Sequence, residues 1–173
     1  MKRLIWHMRN LDRAVFRMIF GVKWPALTAI MRWFTVAGSA GALWGLIAAG
    51  AFVATGFQVR HLLLPWAAIA LSWTAAEVTK HLFDRARPLS ADASIAPLIK
   101  TPSSSSFPSG HSATAAAGAL TLSVVYPPLT PLLVPAAILT ILSRVYLGVH
   151  YPFDVVAGAS IGLVTGSVLL LVW

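Results

Sequence analysis

The feature that most constrains the fold is a series of apolar segments, each about as long as a membrane is thick. The candidates are residues 40–57, 61–84, 109–126, 128–148 and 152–173. A helix of about 20 apolar residues crosses the ~30 Å hydrocarbon core, and it satisfies its own backbone hydrogen bonds there. The segments lack the alternating polarity of barrel strands. The sequence therefore predicts an all-α, polytopic membrane helical bundle with five to six transmembrane helices.

The composition supports this class. Only 10% of the residues are charged and 58% are hydrophobic, whereas soluble domains carry about 25% charged residues. The formal net charge is +8, from 13 Lys and Arg against 5 Asp and Glu. In a membrane protein this surplus favours lipid headgroups and an anionic substrate as partners, and not nucleic acid. The absence of cysteine excludes a disulfide framework and thiolate chemistry.

The N-terminal region, residues 1–36, differs from the later segments because cationic residues interrupt its apolar positions. Residues 1–22 have the pattern of an amphipathic helix lying in the membrane interface, and Pro25 opens a second short helix to about Val36. A cleavable signal peptide is not expected, because charges break up the apolar core that it would need. These charges are Arg9, Asp12, Arg13 and Arg17.

Residues 85–108 contain charged residues, prolines and a serine run, which predicts a loop outside the hydrocarbon. We find no internal repeat, and the whole chain, residues 1–173, is predicted to form a single membrane domain.

Polar and charged residues lie at the ends of the apolar segments. Such residues are costly in or near the hydrocarbon, so each one is a candidate functional residue. If Lys80 lies near one membrane face, alternating spans return residues 109–111 to that face, and residues 144–154 as well. Three segments that are distant in sequence therefore converge at one membrane rim. The residues concerned are Lys80, Arg87, Ser109, Gly110, His111, Arg144, His150 and Asp154.

These residue types suit a bound phosphate. Lys80, Arg87 and Arg144 repel one another unless an anion lies between them, and guanidinium groups match phosphate oxygens. Ser109 and Gly110 open a helix, where free N–H groups and the helix dipole favour an anion. One of two histidines beside a phosphate can attack phosphorus, while the other protonates the leaving oxygen. Asp154, four residues after His150, can hold that imidazole within one helical turn.

Three patterns together resemble the signature motifs of the type-2 phosphatidic acid phosphatase family, which includes lipid phosphate phosphatases and shares its core with vanadium-dependent haloperoxidases. They are Lys80-x6-Arg87-Pro88, then Pro108-Ser109-Gly110-His111, then Ser143-Arg144-x5-His150-x3-Asp154.

The resemblance implies roles for these residues. His150 attacks and becomes a phosphohistidine, Asp154 orients it, and His111 is the acid that later helps to activate water. The implied phosphate-binding residues are Lys80, Arg87, Ser109, Gly110 and Arg144. No metal and no cofactor are expected.

Three other polar features have plainer interpretations. Arg85 is interpreted as an interfacial anchor whose charge reaches the headgroups, and Ser103 to Ser106 as a flexible lead-in. Glu77, one turn before Lys80, is a candidate ion-pair partner for it.

The substrate is predicted to be a lipid phosphate, because a site at the membrane rim meets its substrate laterally. Undecaprenyl diphosphate is the first expectation, since the chain resembles short bacterial members of the family. Phosphatidylglycerol phosphate, phosphatidate, lipid A phosphate and polyprenyl-phosphoribose phosphate remain open. A vanadate-binding haloperoxidase and a non-enzymatic lipid carrier are the competing classes.

Two arguments predict opposite membrane sides for the site. The cationic N-terminal region predicts a cytoplasmic site by the positive-inside rule. Related bacterial enzymes face outward, and on that resemblance we expect an extracytoplasmic site in the cell membrane. The sequence gives no indication of the oligomeric state.

Overall fold

The structure, a computed structural model, describes residues 2–173 and leaves Met1, the first residue of the predicted amphipathic region, outside the described residues. The described chain is all-helical and contains eight α-helices and no strand. The helices are α1 (Lys2–Phe20), α2 (Pro25–Ala37), α3 (Ala42–Ala54), α4 (Val59–Lys80), α5 (Pro88–Ala91), α6 (Gly110–Val125), α7 (Thr130–Tyr146) and α8 (Pro152–Val172).

The predicted segments correspond closely to these helices, and the all-α prediction is confirmed. Proline occupies the first turn of α2, α5, α7 and α8, where its missing N–H costs nothing and its fixed φ suits a helix. The segment 85–108 is irregular except for the single turn of α5. The second predicted span ends earlier than expected, because α4 stops at Lys80.

Among the helices of residues 2–173, three are long and apolar enough to cross a membrane, namely α4, α7 with the short turn before it, and α8. A fourth span results if α1 and α2, which meet at a bend of 116°, are counted together. The predicted count of five to six spans is therefore not confirmed. It assumed that α3 and α6 also cross, but they have only 13 and 16 residues.

Helix α6 forms the centre of the bundle and packs against α8, α4 and α7. Its buried residues are mostly Ala, Gly, Ser and Thr, which allow neighbouring backbones to approach closely. Gly158 and Gly162 of α8 face it directly. A Cβ built at Gly158 would lie 2.2 Å from the Ser109 carbonyl oxygen, and one at Gly162 would lie 2.1 Å from that of Ala113. This packing fixes the start of α8 against the start of α6.

Helices α1 and α2 pack mainly against α7 and α8. Phe16 of α1 is buried against Val145 and Tyr151, and Met31 of α2 packs against Tyr146. The remaining surface of α1 exposes both apolar and cationic side chains, among them Trp6, Leu11, Met18 and Arg17. Helices α1 and α2 are thus attached to the bundle through one face each.

Replacing Gly162 with Ala tests the α6–α8 contact. We expect destabilisation by about 1–3 kcal/mol, because a methyl group must push apart two packed backbones. The thermal unfolding midpoint of the detergent-solubilised protein measures it. The matched control is Gly50→Ala on α3, where nothing lies within 4 Å of the added Cβ. Equal midpoints for the two variants would contradict the close approach.

Candidate active site

His150 lies in a tight connection between α7 and α8. The carbonyl oxygen of Arg144 accepts hydrogen bonds from the backbone N–H groups of Val149 and His150, each at 3.1 Å. Gly148 makes this turn with φ of 81°, in the left-handed region that favours glycine. The end of α7 therefore fixes both Arg144 and the backbone of His150, and both residues are buried.

Arg87 reaches the same point from the loop after α4. Its Nη1 lies 3.2 Å from His150 Nε2 and donates a hydrogen bond of 2.8 Å to the carbonyl oxygen of Val149. Its Nε donates to the carbonyl oxygen of Ser104 at 2.9 Å, and its Nη2 to that of Ser105 at 3.2 Å. These backbone contacts hold a buried guanidinium against the imidazole.

Arg144 supplies a second buried guanidinium near His150. Its Nη1 donates to the hydroxyl oxygen of Thr35 in α2, and that hydroxyl also receives a hydrogen bond from Ser143 at 3.1 Å. Among the contacts of residues 2–173, Arg144 Nε has no hydrogen-bond partner although it is buried. An anion beside this guanidinium would give that donor an acceptor.

Lys80 ends α4, and its Nζ contacts Glu77 Oε1 at 2.5 Å, as the one-turn spacing predicts. The same carboxylate lies near the start of α6, since a Cβ at Gly110 would be 3.4 Å from Glu77 Oε1. Ser109 is the N-cap residue of α6 and accepts from Ser112 N–H. Its own N–H is already bonded to the Asp154 carbonyl oxygen at 2.9 Å, so it is not among the free donors.

His111, in the first turn of α6, is held by the N-terminal region. Its Nε2 lies 3.2 Å from the Thr35 carbonyl oxygen and 3.4 Å from Ser39 Oγ. A carbonyl oxygen only accepts, so this contact requires a hydrogen on Nε2. His111 therefore carries an N–H at one edge of the site, within electrostatic range of Arg144, His150 and Lys80.

Asp154 lies in the first turn of α8 with its side chain fully buried. Its Oδ2 accepts from Tyr151 N–H at 2.8 Å and from the Ser106 hydroxyl, and its Oδ1 accepts from Arg85 Nη1 at 2.6 Å. His150 Nδ1 is 3.5 Å from Oδ2, longer than an ordinary hydrogen bond. His150 and Asp154 are therefore close to each other, as the four-residue spacing predicts, but they do not form a hydrogen bond.

Burial decides the protonation state of His150. It lowers the pKa of the His150 imidazole from 6.5 to about 4, and the positive charges of Arg144 and Arg87 act in the same direction. The Asp154 carboxylate opposes them without reversing the shift. His150 is therefore neutral at physiological pH, the state in which imidazole is a nucleophile.

All eight site residues named from the sequence thus lie at one end of the bundle. Four polar residues that the sequence analysis did not assign to the site lie there too, namely Asp12, Thr35, Arg85 and Ser106. Arg85 was interpreted as an interfacial anchor, and the structure instead pairs it with two buried carboxylates. The serine run was interpreted as a flexible lead-in, but Ser104 and Ser105 bind Arg87 while Ser106 binds Asp154.

Two further observations describe the surroundings of the site. Within residues 2–173, no three His, Cys, Asp or Glu side chains are grouped closely enough to hold a metal ion. A cavity of about 620 Å³ lies beside Arg85, and its lining includes Met8, Arg9, Phe107 and Phe153. It approaches the Asp154 side of the site from α1.

Comparison with known proteins identifies the family. Residues 61–173 match the PAP2 superfamily, and this match covers the three motif segments and the helices that carry them. The chain therefore belongs to the PAP2 superfamily. The family predicted from the motifs is confirmed.

Two curated relatives are informative. A decaprenylphosphoryl-5-phosphoribose phosphatase of Mycolicibacterium smegmatis is 41% identical over 116 residues, which are 66% of this chain and 62% of the relative. An undecaprenyl-diphosphatase of Sulfolobus acidocaldarius is 38% identical over 87 residues, or 50% of this chain and 42% of the relative. The chain thus matches less than two thirds of the length of either protein.

Solved structures agree over nearly the whole chain. Aquifex aeolicus LpxE is 29% identical with a TM-score of 0.82, covering 93% of this chain and 95% of that one. A PAP2-type phosphatidylglycerolphosphate phosphatase from Bacillus subtilis, described as transmembrane, is 30% identical with a TM-score of 0.75. That match covers 96% of this chain and 86% of that one. With the apolar helices, this indicates a membrane protein.

The protonation of His150 is directly measurable. We expect ¹⁵N NMR of histidine-labelled protein in detergent to show a neutral His150 ring as the pH falls from 7 to 5. Protonation follows only near pH 4, because burial disfavours the imidazolium. The signal is assigned by its loss in His150→Asn. A midpoint between 6 and 7, the range of an unperturbed histidine, would contradict this electrostatic picture.

Proposed function

We propose that this protein is an integral membrane lipid phosphatase that hydrolyses the terminal phosphate of a polyprenyl lipid through a phosphohistidine at His150. One observation carries the proposal. The imidazole of His150 is neutral and buried, its Nε2 is 3.2 Å from the Arg87 guanidinium, and a carboxylate stands behind its Nδ1. A nucleophile facing an anion-binding cation and backed by an acceptor is the arrangement that phosphoryl transfer to nitrogen requires.

The phosphate is bound by positive charge. Arg87 and Arg144 are buried, and the Lys80 side chain is only 11% exposed, so their charges are weakly screened by water. A phosphate between these groups relieves their repulsion, gives Arg144 Nε its acceptor and neutralises the charge that develops on the equatorial oxygens. The first-turn N–H groups of α6, at Gly110 and His111, add to the same field.

In the first step, His150 Nε2 attacks phosphorus and the bond to the leaving oxygen breaks. The lone pair on Nε2 is available when the ring hydrogen is on Nδ1, and Asp154 favours that tautomer as the nearest acceptor. Positive charge then develops on the imidazole, which draws Nδ1–H toward the carboxylate. Catalytic hydrogen bonds that are long without substrate commonly shorten in this way.

His111 acts on the leaving oxygen. In its doubly protonated form, with hydrogens on both Nδ1 and Nε2, His111 can give a proton to the departing phosphate or alcohol. A bound phosphate favours that form, because its negative charge offsets the positive charges that act on His111. The neutral ring left behind can take a proton from water in the second step. Attack of that water on the phosphohistidine releases inorganic phosphate and restores both histidines.

The proposed substrate class follows from the relatives. The two curated relatives described above are named for polyprenyl lipids that carry a phosphate, one a phosphoribose and the other a diphosphate. Undecaprenyl diphosphate was the first expectation from the sequence. The higher identity and coverage now favour a polyprenyl-phosphoribose phosphate over it, and both present a terminal phosphate to the same site.

We further propose that catalysis needs no metal ion. The positive charge that a metal would supply to the phosphate oxygens is supplied by Lys80, Arg87 and Arg144. Activity should therefore persist in EDTA.

Replacing either histidine tests the mechanism. His150→Ala should reduce phosphate release to background, and His111→Ala should slow it by about 10²–10⁴-fold, the usual contribution of a general acid. With an aryl phosphate, whose leaving group needs no protonation, His111→Ala should recover activity and His150→Ala should not. His7→Ala, on the exposed surface of α1, is the matched control and should retain activity.

A panel of lipid phosphates in mixed micelles completes this test. We expect kcat/KM to be highest for polyprenyl-phosphoribose phosphate or undecaprenyl diphosphate, and lower for phosphatidylglycerol phosphate, phosphatidate and lipid A phosphate. Full turnover by His150→Ala would refute the mechanism. A preference for a glycerolipid would refute the substrate class but leave the mechanism intact.

We propose that the active site faces the extracytoplasmic side, on the basis of the resemblance to outward-facing family members. Because the chain has no cysteine, single cysteines report the side directly. We expect Ala93→Cys, in the loop after α5, to react with a membrane-impermeant maleimide on intact cells. Gln58→Cys, in the turn between α3 and α4, is the control and should react only after permeabilisation. The reverse pattern would place the site in the cytoplasm.

A further inference from the structure

Arg85 bridges two carboxylates that water does not reach. Its Nη2 binds Asp12 Oδ2, and its Nη1 binds Asp154 Oδ1 at 2.6 Å. The side chains of Asp12 and Asp154 are both 0% exposed, and that of Arg85 is 28% exposed. Burying an unpaired carboxylate costs several kcal/mol, so the two acids depend on this guanidinium.

The bridge determines how Asp154 is presented to His150. A carboxylate held at Oδ1 by one arm of a planar guanidinium has little rotational freedom. Its Oδ2 then faces the Ser106 hydroxyl, the Tyr151 N–H and His150 Nδ1. Arg85 therefore occupies the oxygen of Asp154 that His150 does not face.

Asp12 fixes the other end of the bridge. Its Oδ1 accepts the backbone N–H of Phe153 at 2.9 Å, in the first turn of α8. That N–H has no partner within its own helix, and a negative charge is favourable at a helix start. Asp12 thus attaches α1 to the start of the helix that carries Asp154, and it holds Arg85 in place.

We propose that Arg85, held by Asp12, is a positioning residue for the reaction. It keeps Asp154 ionised and oriented, so that Oδ2 accepts Nδ1–H of His150 when the phosphohistidine forms. This rests on the proposed function, since it assigns Arg85 a task only if His150 is the nucleophile. Arg85 itself touches neither the phosphate cations nor His150 among the contacts that residues 2–173 make.

Kinetics separate this role from phosphate binding. In Arg85→Ala, kcat should fall by about 10–100-fold, as for other groups that orient a catalytic ligand, while KM changes little. The phosphate-binding side chains are untouched, so vanadate, a mimic of five-coordinate phosphorus, should inhibit with similar affinity. Arg85→Lys keeps the charge but cannot bridge two carboxylates in one plane, and it should recover only part of kcat.

Two controls guard against a folding defect. Arg17→Gln removes an arginine of α1, and it should behave as wild type. The one ion pair that Arg17 makes within residues 2–173, with Asp92, is exposed and long at 3.9 Å. If Arg85→Ala does not fold, Arg85→Ala with Asp12→Asn removes one charge of each sign and gives the same comparison. Every variant is measured as folded protein after size-exclusion chromatography in detergent.

Chemical rescue of kcat distinguishes a positioning role of Arg85 from a purely structural one. The cavity of about 620 Å³ beside Arg85 is large enough for free guanidinium, which should restore kcat of Arg85→Ala in the low millimolar range. Urea, which has the same shape and no charge, should not restore it. Guanidinium should have no effect on Arg17→Gln.

A double variant tests whether Arg85 acts through Asp154. If Arg85 acts through Asp154, Arg85→Ala should cost little further kcat in an Asp154→Asn background. Wild-type kcat in folded Arg85→Ala, a rise in KM alone, or fully additive losses in the double variant would overturn the proposal. Failure of the proposed function has a different signature, because the wild type would then release no phosphate or His150→Ala would remain active.

Discussion

The buried carboxylate of Asp154 is the group on which the arrangement of the site depends. Its charge is compensated by Arg85 from the segment after α4, by Ser106 from the loop before α6, and by the backbone N–H of Tyr151, the N-cap residue of α8. Its carbonyl oxygen also accepts Ser109 N–H at the start of α6. A carboxylate that water does not reach needs such partners, and these contacts bring distant segments of the chain to His150.

The close packing of α6 and α8 complements this polar centre. Because Gly158 and Gly162 let the α8 backbone approach that of α6, the first turns of the two helices lie side by side. His111 and Asp154 are thereby fixed relative to each other without a direct contact. Helices α1 and α2 also contact the site, through Asp12 and Thr35, so a region with the composition of a surface helix forms part of the candidate site.

Much of this was readable from the sequence, for identifiable reasons. Helix ends are marked locally by Pro25, Pro152 and the glycines near residue 40, and the motif residues converge because apolar segments alternate in direction. Asp12, Thr35 and Arg85 were missed because their partners lie 69 to 141 residues away, beyond any periodicity. One signal was available for Asp12, which is the single acidic residue among the first 76. The predicted span count is not confirmed, because α3 and α6 are apolar but shorter than the helices that are long enough to cross a membrane.

The central claim is that phosphate passes through a covalent intermediate on His150, and the stereochemistry at phosphorus tests it most directly. A substrate with a chiral thiophosphate as its terminal group would be hydrolysed in isotopically labelled water, and the configuration of the released thiophosphate determined. Two successive in-line displacements, first by His150 and then by water, predict overall retention. Inversion would mean a single direct attack by water and would contradict the account.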